Sequence, residues 1–438
     1  MSIKNQAITG VKWTSVSTAV VAINGLLKIS ILTRFLDKSD FGLIAITLLV
    51  LGFTELFIDM GLSIAIIHRQ DITRKEYSSL YWINFIFSIV LCGVIIAISP
   101  IVAKFYNESE LLTLLPMMSI ILILSAVGRQ FKTIEQKKLN FRRIAMIVVG
   151  SSLSSLALAV VLAIKGFGVY ALVYAAIAQS FLSNMSFFLL GIGKNKILFH
   201  FKYQEVKPFL RIGLYQVGSQ LTNYFKGNLD ILIVGKFFGS DVLGGYSLAK
   251  QLVVRPGKMI NPVLTRVGAP VLARFQGSIE RLRKNYLKLI NLVAAINVPI
   301  YMGILIFAPL LVDILYGENY AEIVDLVRIL SVFMMVTSVL NPVGSLVVAT
   351  GRTDLEFFWN LFTLPFMPLA IIIGSQFSIE AVAIGMLLVM ILLFVPFWWF
   401  LINRMIAIDF TTYLKWVIPK ISSYQLIANQ LSIKTKPV

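Results

Sequence analysis

Ionisable side chains stand inside several long apolar stretches of this 438-residue chain. A charged group at the centre of a membrane helix costs roughly 2.5–3.5 kcal/mol on insertion scales, so such groups face a bundle interior or a watery cavity. A cluster of them therefore predicts a binding site. The residues concerned are Lys28, Glu55, Asp59, Lys226, Asp230 and Arg255.

The basic members of this set suit an anionic ligand. Gln220, Asn223 and Asp230 follow helical spacing on one stripe, and Lys226 lies beside it. Ammonium and guanidinium groups make charge-assisted hydrogen bonds to phosphate-type oxygens. We therefore expect a hydrated, net cationic cavity for an anionic headgroup. Its expected ligands are Lys28, Lys226, Arg255, Asn223 and Gln220.

The acidic members leave two interpretations open. Glu55 and Asp59 are four residues apart and hence adjacent on one helix face, and Asp230 follows Lys226 by the same spacing. These carboxylates either pair with lysines, including Lys28, and hold helices in register, or they bind a coupling proton or Na⁺.

Composition defines the setting of these residues. The chain is 58% hydrophobic and only 14% charged, against about 25% charged in a typical soluble domain, and its mean hydropathy is +0.85. At about 20 residues per crossing, we predict twelve membrane spans. The fourth is predicted at 111–127, the seventh at 212–235 and the eighth at 243–267.

The same composition excludes several functional classes. Twelve spans leave no room for a large soluble catalytic domain, and no Gly-rich phosphate loop is present, so we expect no enzyme activity. With one Cys and two His, we expect neither a disulfide framework nor a metal cluster, and we predict no cofactor. The first span lacks a compact apolar core and a small-residue cleavage site, so no cleavable signal peptide is expected.

The net charge of +18 is unevenly distributed between the two sides of the predicted topology. One set of loops holds most of the Lys and Arg residues, including the cluster from Arg129 to Arg143 and the connector after the sixth span. The positive-inside rule makes that side cytoplasmic and places both termini there. The basic balance thus reflects topology, and we expect no nucleic-acid partner. The opposite loops carry Arg34, Lys38, Lys104, Lys165 and Lys236.

The predicted fold is an all-α polytopic membrane protein with about twelve helices in two six-helix lobes around a central cavity. The lobes are residues 1–192 and 212–402, joined by a basic cytoplasmic connector at 193–211 and followed by a polar cytoplasmic tail at 403–438. A shift of 202 residues aligns Arg34 with Lys236 and Gly42 with Gly244. Parallel repeats of this kind predict a substrate path between the lobes, near the bilayer midplane.

The chain resembles a known group, the Wzx-type oligosaccharide flippases of the polysaccharide transporter family, and most of all its colanic-acid-exporter-like branch. The same superfamily holds the multidrug exporters and the peptidoglycan-precursor flippase. The motifs that carry the resemblance are T-R-F-L at 33–36, D-F-G at 40–42, E-L-F-I-D-M-G-L at 55–62, Q-K-K-L-N-F-R at 136–142, G-A-P-V-L-A-R at 268–274, Pro299, Y-G-E-N-Y at 316–320 and A-T-G-R at 349–352.

The resemblance implies a function and its surroundings. It implies a flippase that moves an undecaprenyl-pyrophosphate-linked oligosaccharide repeat unit across the bacterial inner membrane by alternating access, for O-antigen, capsule or exopolysaccharide synthesis. Membrane lipids and pathway proteins such as a polysaccharide polymerase are the implied partners. The chain departs from longer members because residues from Asp409 onward are polar, so that 421–438 cannot form a further span.

Two other functions are weighed against this one. A cation-coupled multidrug exporter of the same fold favours an acidic cavity, whereas the charges within the predicted spans here are net positive. A membrane-bound polysaccharide polymerase or acyltransferase needs Arg/His constellations on a sizeable outer loop, and the predicted outer loops are all short.

Overall fold

The described part of the chain is predominantly helical. The computed structural model describes residues 3–59, 63, 66–67, 69, 71–195 and 197–420, and within them no strand occurs. The predicted all-α class is thus confirmed. The described residues pack as two compact units, one formed by 1–247 with 315–317 and the other by 248–314 with 318–438. The lobe boundaries in the connector stay a prediction.

The first unit contains six long helices and the beginning of a seventh. These are α1 (Ile3–Leu32), α2 (Lys38–Asp59), α3 (Arg74–Tyr106), α4 (Leu111–Lys137), α5 (Phe141–Ile164), α6 (Val169–Asn195) and α7 (Tyr203–Ala273).

The second unit takes the remainder of α7 and the helices that follow, apart from residues 315–317. These are α8 (Ile279–Ile306), α9 (Ala308–Tyr316), α10 (Val324–Leu340), α11 (Val343–Thr350), α12 (Thr353–Thr363), α13 (Phe366–Gly374), α14 (Ile379–Phe397), α15 (Arg404–Ile406) and α16 (Phe410–Val417).

The apolar core of the second unit forms around α8 and includes α16, which lies in the predicted polar tail. Tyr286 of α8 and Tyr413 of α16 are both fully buried in it. The side-chain amide of Asn291 donates to the carbonyl of Trp416 at 2.8 Å. Residues 410–417 are therefore a packed part of this unit, and 421–438 lie outside the described residues.

Eleven helical stretches of the described residues are long and apolar enough to cross a membrane. One of them, Asn223–Pro262, is 40 residues long, which is about two crossings at 20 residues each. It overlaps both the predicted seventh span (212–235) and the predicted eighth span (243–267). Counting it twice gives the predicted twelve, and the chain is a multi-pass membrane protein.

A single glycine divides that long stretch. Gly239 has φ 79° and ψ −176°, a backbone conformation that is essentially restricted to glycine. The helix begins again at once, and the freed backbone N–H of Ser240 donates to Glu108 Oε1 at 3.1 Å. The break and its cap thus turn one apolar helix into two spans.

Two glycines bring α2 and the segment after Gly239 into direct backbone contact. A methyl group on Gly42 would lie 1.8 Å from the carbonyl oxygen of Ser240, and one on Gly244 would lie 1.8 Å from that of Lys38. The 202-residue shift aligns Gly42 with Gly244 and Lys38 with Ser240. Aligned residues thus exchange partners across this contact within the first unit, and the two-lobe repeat stays a prediction.

The fourth span is longer than predicted. Hydropathy ends it at Val127, but α4 continues without interruption to Lys137. Arg129 and Lys132, predicted to lie in a cytoplasmic loop, are therefore inside a helix. The reason is that their positive charges lower the local hydropathy without weakening helix propensity.

The connector between α6 and α7 is held against the beginning of α3. The hydroxyl of Ser79 accepts from the backbone N–H of Lys202 at 3.1 Å and donates to Glu205 at 2.6 Å. His200 lies 3.0 Å from the same carboxylate. The Ser79 hydroxyl, and then His200, lower the pKa of Glu205.

The connector contact has a defined pH window. Because the pKa of Glu205 is depressed in the folded state, the contribution of its carboxylate to stability is present above the unfolded pKa of about 4.3. It is lost as pH falls through the lower folded pKa.

Replacing Ser79 by Ala removes both of its hydrogen bonds at any pH. We expect several-fold faster trypsin cleavage after Lys202, measured by limited proteolysis in detergent at mildly alkaline pH.

The matched control is Ser88→Ala, since the Ser88 hydroxyl donates only within its own helix, to Phe85. An unchanged cleavage rate for Ser79→Ala would mean that other contacts hold the connector.

Candidate functional site

A polar cavity of about 720 Å³ opens within the first unit. Its walls come from α2, α4, α6 and α7, with Ser63 beyond the end of α2. The lining residues are Gly52, Glu55, Leu56, Ser63, Ser125, Arg129, Lys132, Thr133, Gln136, Ser183, Asn184, Gln220 and Tyr224.

Helix α4 supplies the positive charge of the cavity. Arg129, Lys132 and Gln136 are spaced by three and four residues and so project from one face of the helix. The side chain of Arg129 is 24% exposed, and Lys132 is also partly buried. Both cations therefore stand where water only partly screens them.

Helix α2 supplies one carboxylate. Arg129 Nη2 lies 3.5 Å from Glu55 Oε1, and 43% of the Glu55 side chain is exposed. A pair this long and this exposed contributes little to stability. Since the described lining holds two cations and one carboxylate, the cavity is net positive.

Amide and hydroxyl groups fill the remaining polar wall. Ser183 and Asn184 come from α6, while Gln220 and Tyr224 come from α7 one turn apart. Gly128 allows α6 to approach, because a methyl group there would lie 2.5 Å from the backbone of Asn184. Such groups donate and accept hydrogen bonds at once, which suits a hydroxyl-rich ligand.

The cavity includes two of the predicted site residues. Glu55 and Gln220 line it, whereas Lys28, Asn223, Lys226 and Asp230 are not among its described lining residues. Both Asn223 and Lys226 are exposed on α7.

Lys28 belongs to a separate polar seam between α1, α5 and α6. Its Nζ donates to Ser155 Oγ at 3.0 Å, and Ser155 donates onward to the carbonyl of Ala175. One turn earlier, the amide of Asn24 donates to the carbonyl of Ser152 at 2.8 Å.

The other predicted residues have local contacts. Asp230 is buried and accepts a hydrogen bond from the hydroxyl of Tyr246 at 2.5 Å, across the break at Gly239. Arg255, in the second unit, donates to Gln251 Oε1 at 3.2 Å. The side chain of Asp59 lies outside the described residues. The roles assigned to these residues, and a path between the lobes, stay predictions.

Sequence reasoning missed Arg129, Lys132 and Tyr224. The spacing of Arg129, Lys132 and Gln136 is a helical signal, but a run of positive charges after an apolar stretch is also what a cytoplasmic loop looks like. Among the described residues, no group of three or more His, Cys, Asp or Glu side chains is placed to hold a metal ion.

Eleven apolar helical stretches of the described residues, with a polar cavity among them, define a helical membrane protein. Residues 31–325 match the family described as polysaccharide biosynthesis protein, and the chain belongs to that family. The chain is 31% identical to the lipopolysaccharide biosynthesis protein WzxC of Escherichia coli (strain K12), over 90% of this chain and 80% of that protein. It is 29% identical to the teichuronic acid biosynthesis protein TuaB of Bacillus subtilis (strain 168), over 82% and 74%.

Solved structures show the same fold at low sequence identity. The lipid II flippase MurJ in an inward closed conformation superposes with a TM-score of 0.73 at 12% identity, over 97% of this chain and 93% of that one. An inward-facing MATE family multidrug resistance transporter superposes with a TM-score of 0.63 at 16% identity, over 89% and 98%. At such identities the likeness concerns the fold alone.

Proposed function

We propose that this protein is a flippase that moves a lipid-linked oligosaccharide repeat unit across a bacterial membrane by alternating access. The single observation that carries the proposal is the net positive cavity enclosed by helices long and apolar enough to span a membrane. Charge among membrane-spanning helices is costly unless a ligand or a partner compensates it. An anionic substrate bound in the cavity supplies this compensation.

The lining of the cavity contains two kinds of groups, cationic and neutral polar, that fit such a substrate. Arg129 and Lys132 provide charge-assisted donors for a diphosphate. The amides of Gln136, Asn184 and Gln220, with the neighbouring hydroxyls, match the hydroxyl groups of sugars. Membership of the polysaccharide biosynthesis protein family supports the same substrate class.

The finer parts of the proposal follow from the family. We infer an undecaprenyl-pyrophosphate carrier, an inner-membrane location with both termini in the cytoplasm, and no catalysis by the chain itself. A polysaccharide polymerase acts on the product in this scheme. Lys28, Lys226 and Arg255 keep their proposed role as cations for the headgroup, and Glu55, Asp59 and Asp230 keep theirs in pairing or ion coupling.

The alternative of a cation-coupled multidrug exporter shares this fold. A cationic drug requires a cavity with net negative charge, and the described lining here has one carboxylate against two cations. The flippase is therefore the better match. Export of cationic dyes by the reconstituted protein would reverse this preference.

Deleting the gene provides the direct test. We expect surface polysaccharide to be lost and unprocessed lipid-linked repeat units to accumulate at least about tenfold, because synthesis continues while translocation stops. Thin-layer or mass-spectrometric analysis of extracted lipids measures the pool, and expression of the intact chain is the control. Normal surface polysaccharide in the deletion strain would contradict the proposal.

A further inference from the structure

The phenol hydroxyl of Tyr224 on α7 bonds the backbone of α2 beside the cavity. It donates to the carbonyl of Leu49 at 2.5 Å. In an uninterrupted α-helix the N–H of residue 53 bonds the carbonyl of residue 49. The hydroxyl therefore shares the acceptor of one hydrogen bond of α2.

The sequence of α2 leaves room for this contact. Gly52 faces the phenol ring, and a methyl group there would lie 2.9 Å from the Tyr224 oxygen and 3.1 Å from Cε2. The ring is also flanked by Phe53, whose centroid is 6.2 Å away. A side chain at position 52 would displace the hydroxyl.

The contact is reversible without leaving a buried polar group unsatisfied. When the hydroxyl withdraws, the carbonyl of Leu49 and the N–H of Phe53 remain to bond each other as in any helix. The hydroxyl of Tyr224, which lines the cavity, is then free to bond water or a ligand there. Both arrangements therefore satisfy every group involved, which is what a two-state element requires.

The residues around the contact belong to the cavity. Tyr224 lies one turn after Gln220, and Gly52 lies three residues before Glu55, which approaches Arg129. A hydrogen bond between α7 and α2 at this point therefore sets the separation of the wall that carries Gln220 from the wall that carries Glu55.

We propose that Tyr224 is a positioning residue, whose hydroxyl holds α7 against Leu49 of α2 and keeps the cavity narrow until the contact is released. The inference rests on the proposed function only for the identity of the ligand that enters the cavity, namely the anionic lipid-linked sugar. The contact between Tyr224 and Leu49 shapes the cavity whatever that ligand is, so it can be tested without any substrate.

The test measures how readily a reagent enters the cavity. The parent protein has its single cysteine removed by Cys92→Ala and a reporter introduced by Ser183→Cys on the α6 wall. The labelling rate with a hydrophilic maleimide is followed in membranes. We expect Tyr224→Phe to raise this rate several-fold with unchanged protein amount. Labelling of Tyr224→Phe at the parent rate would overturn the proposal.

Two further variants separate this role from a general structural effect. Gly52→Ala should raise the rate as Tyr224→Phe does, and the double variant should label no faster than either, since both changes break one contact. Additive effects would contradict the shared contact. Tyr174→Phe is the matched control, because it removes the phenol hydroxyl of a residue on α6 that is 40% exposed. It should label at the parent rate, and faster labelling there would equally contradict the assignment.

The labelling result and the transport result are independent of each other. Faster labelling of Tyr224→Phe combined with normal polysaccharide in the deletion strain would uphold the contact and reject the flippase function. Parent-rate labelling combined with accumulated lipid-linked units would reject the contact and leave the function standing.

Discussion

Arg129→Ala and Lys132→Ala should each reduce polysaccharide export about tenfold or more, and the double variant should reduce it to the level of the deletion strain. Each side chain supplies a charge-assisted hydrogen bond worth about 1.5–3 kcal/mol, and 1.4 kcal/mol is tenfold in binding. The double variant leaves Glu55 as the one charge among the described lining residues, so the cavity then repels an anion. Surface polysaccharide in the complemented deletion strain provides the measurement.

The matched control for this prediction is Lys138→Ala. It removes one positive charge from the end of the same helix, at an exposed position outside the described lining. Export should then stay at the level of the intact chain, because a surface charge is screened by water and salt. If the double variant exports normally at a normal protein level, the cavity is not on the transport path.

Gly42→Ala and Gly244→Ala should be the most destabilising small substitutions in the first unit. Each methyl group would lie 1.8 Å from a backbone carbonyl oxygen, and backbone cannot move aside without shifting a helix. Overpacking in ordinary cores costs about 1–3 kcal/mol, so we expect at least about 3 kcal/mol here. The expected result is a much lower thermal midpoint in detergent, or loss of monodisperse protein.

The reciprocal geometry adds a second expectation to this experiment. Because both methyl groups meet a carbonyl at the same distance, the two variants should lose similar stability. A large loss from only one of them would contradict a reciprocal contact. Gly93→Ala and Gly150→Ala are the controls, since a methyl group at either position meets nothing within 4 Å. These two should gain up to about 1 kcal/mol from the higher helix propensity of Ala.

Much of the fold could be predicted from the chain alone. The all-α class and the number of spans follow from apolar runs, because a lipid environment leaves the backbone no alternative to internal hydrogen bonding. Even the continuous 40-residue stretch Asn223–Pro262 is divided into two spans at Gly239. The fourth span shows the limit of this reasoning, since hydropathy placed its end at Val127 and the helix extends to Lys137.

The candidate site was predictable in kind but only partly in its residues. Glu55 and Gln220 were identified because a polar group within an apolar span stands out. Arg129 and Lys132 were not, because they follow an apolar run and so resemble the positive loop that usually ends one. Hydropathy measures how strongly a segment prefers lipid over water. It contains no information on which face of a helix meets another helix.

By itself, the sequence determines that this chain is a multi-pass helical membrane protein with an excess of positive charge and a few charges at positions lipid cannot tolerate. These properties depend on local composition, which each segment carries wherever it packs. Only the tertiary structure decides that Arg129 faces Glu55, that Tyr224 bonds the backbone at Leu49, and that Gly42 meets Ser240. Such contacts join residues 74 to 198 positions apart, and their existence depends on how helices approach, which no single segment encodes.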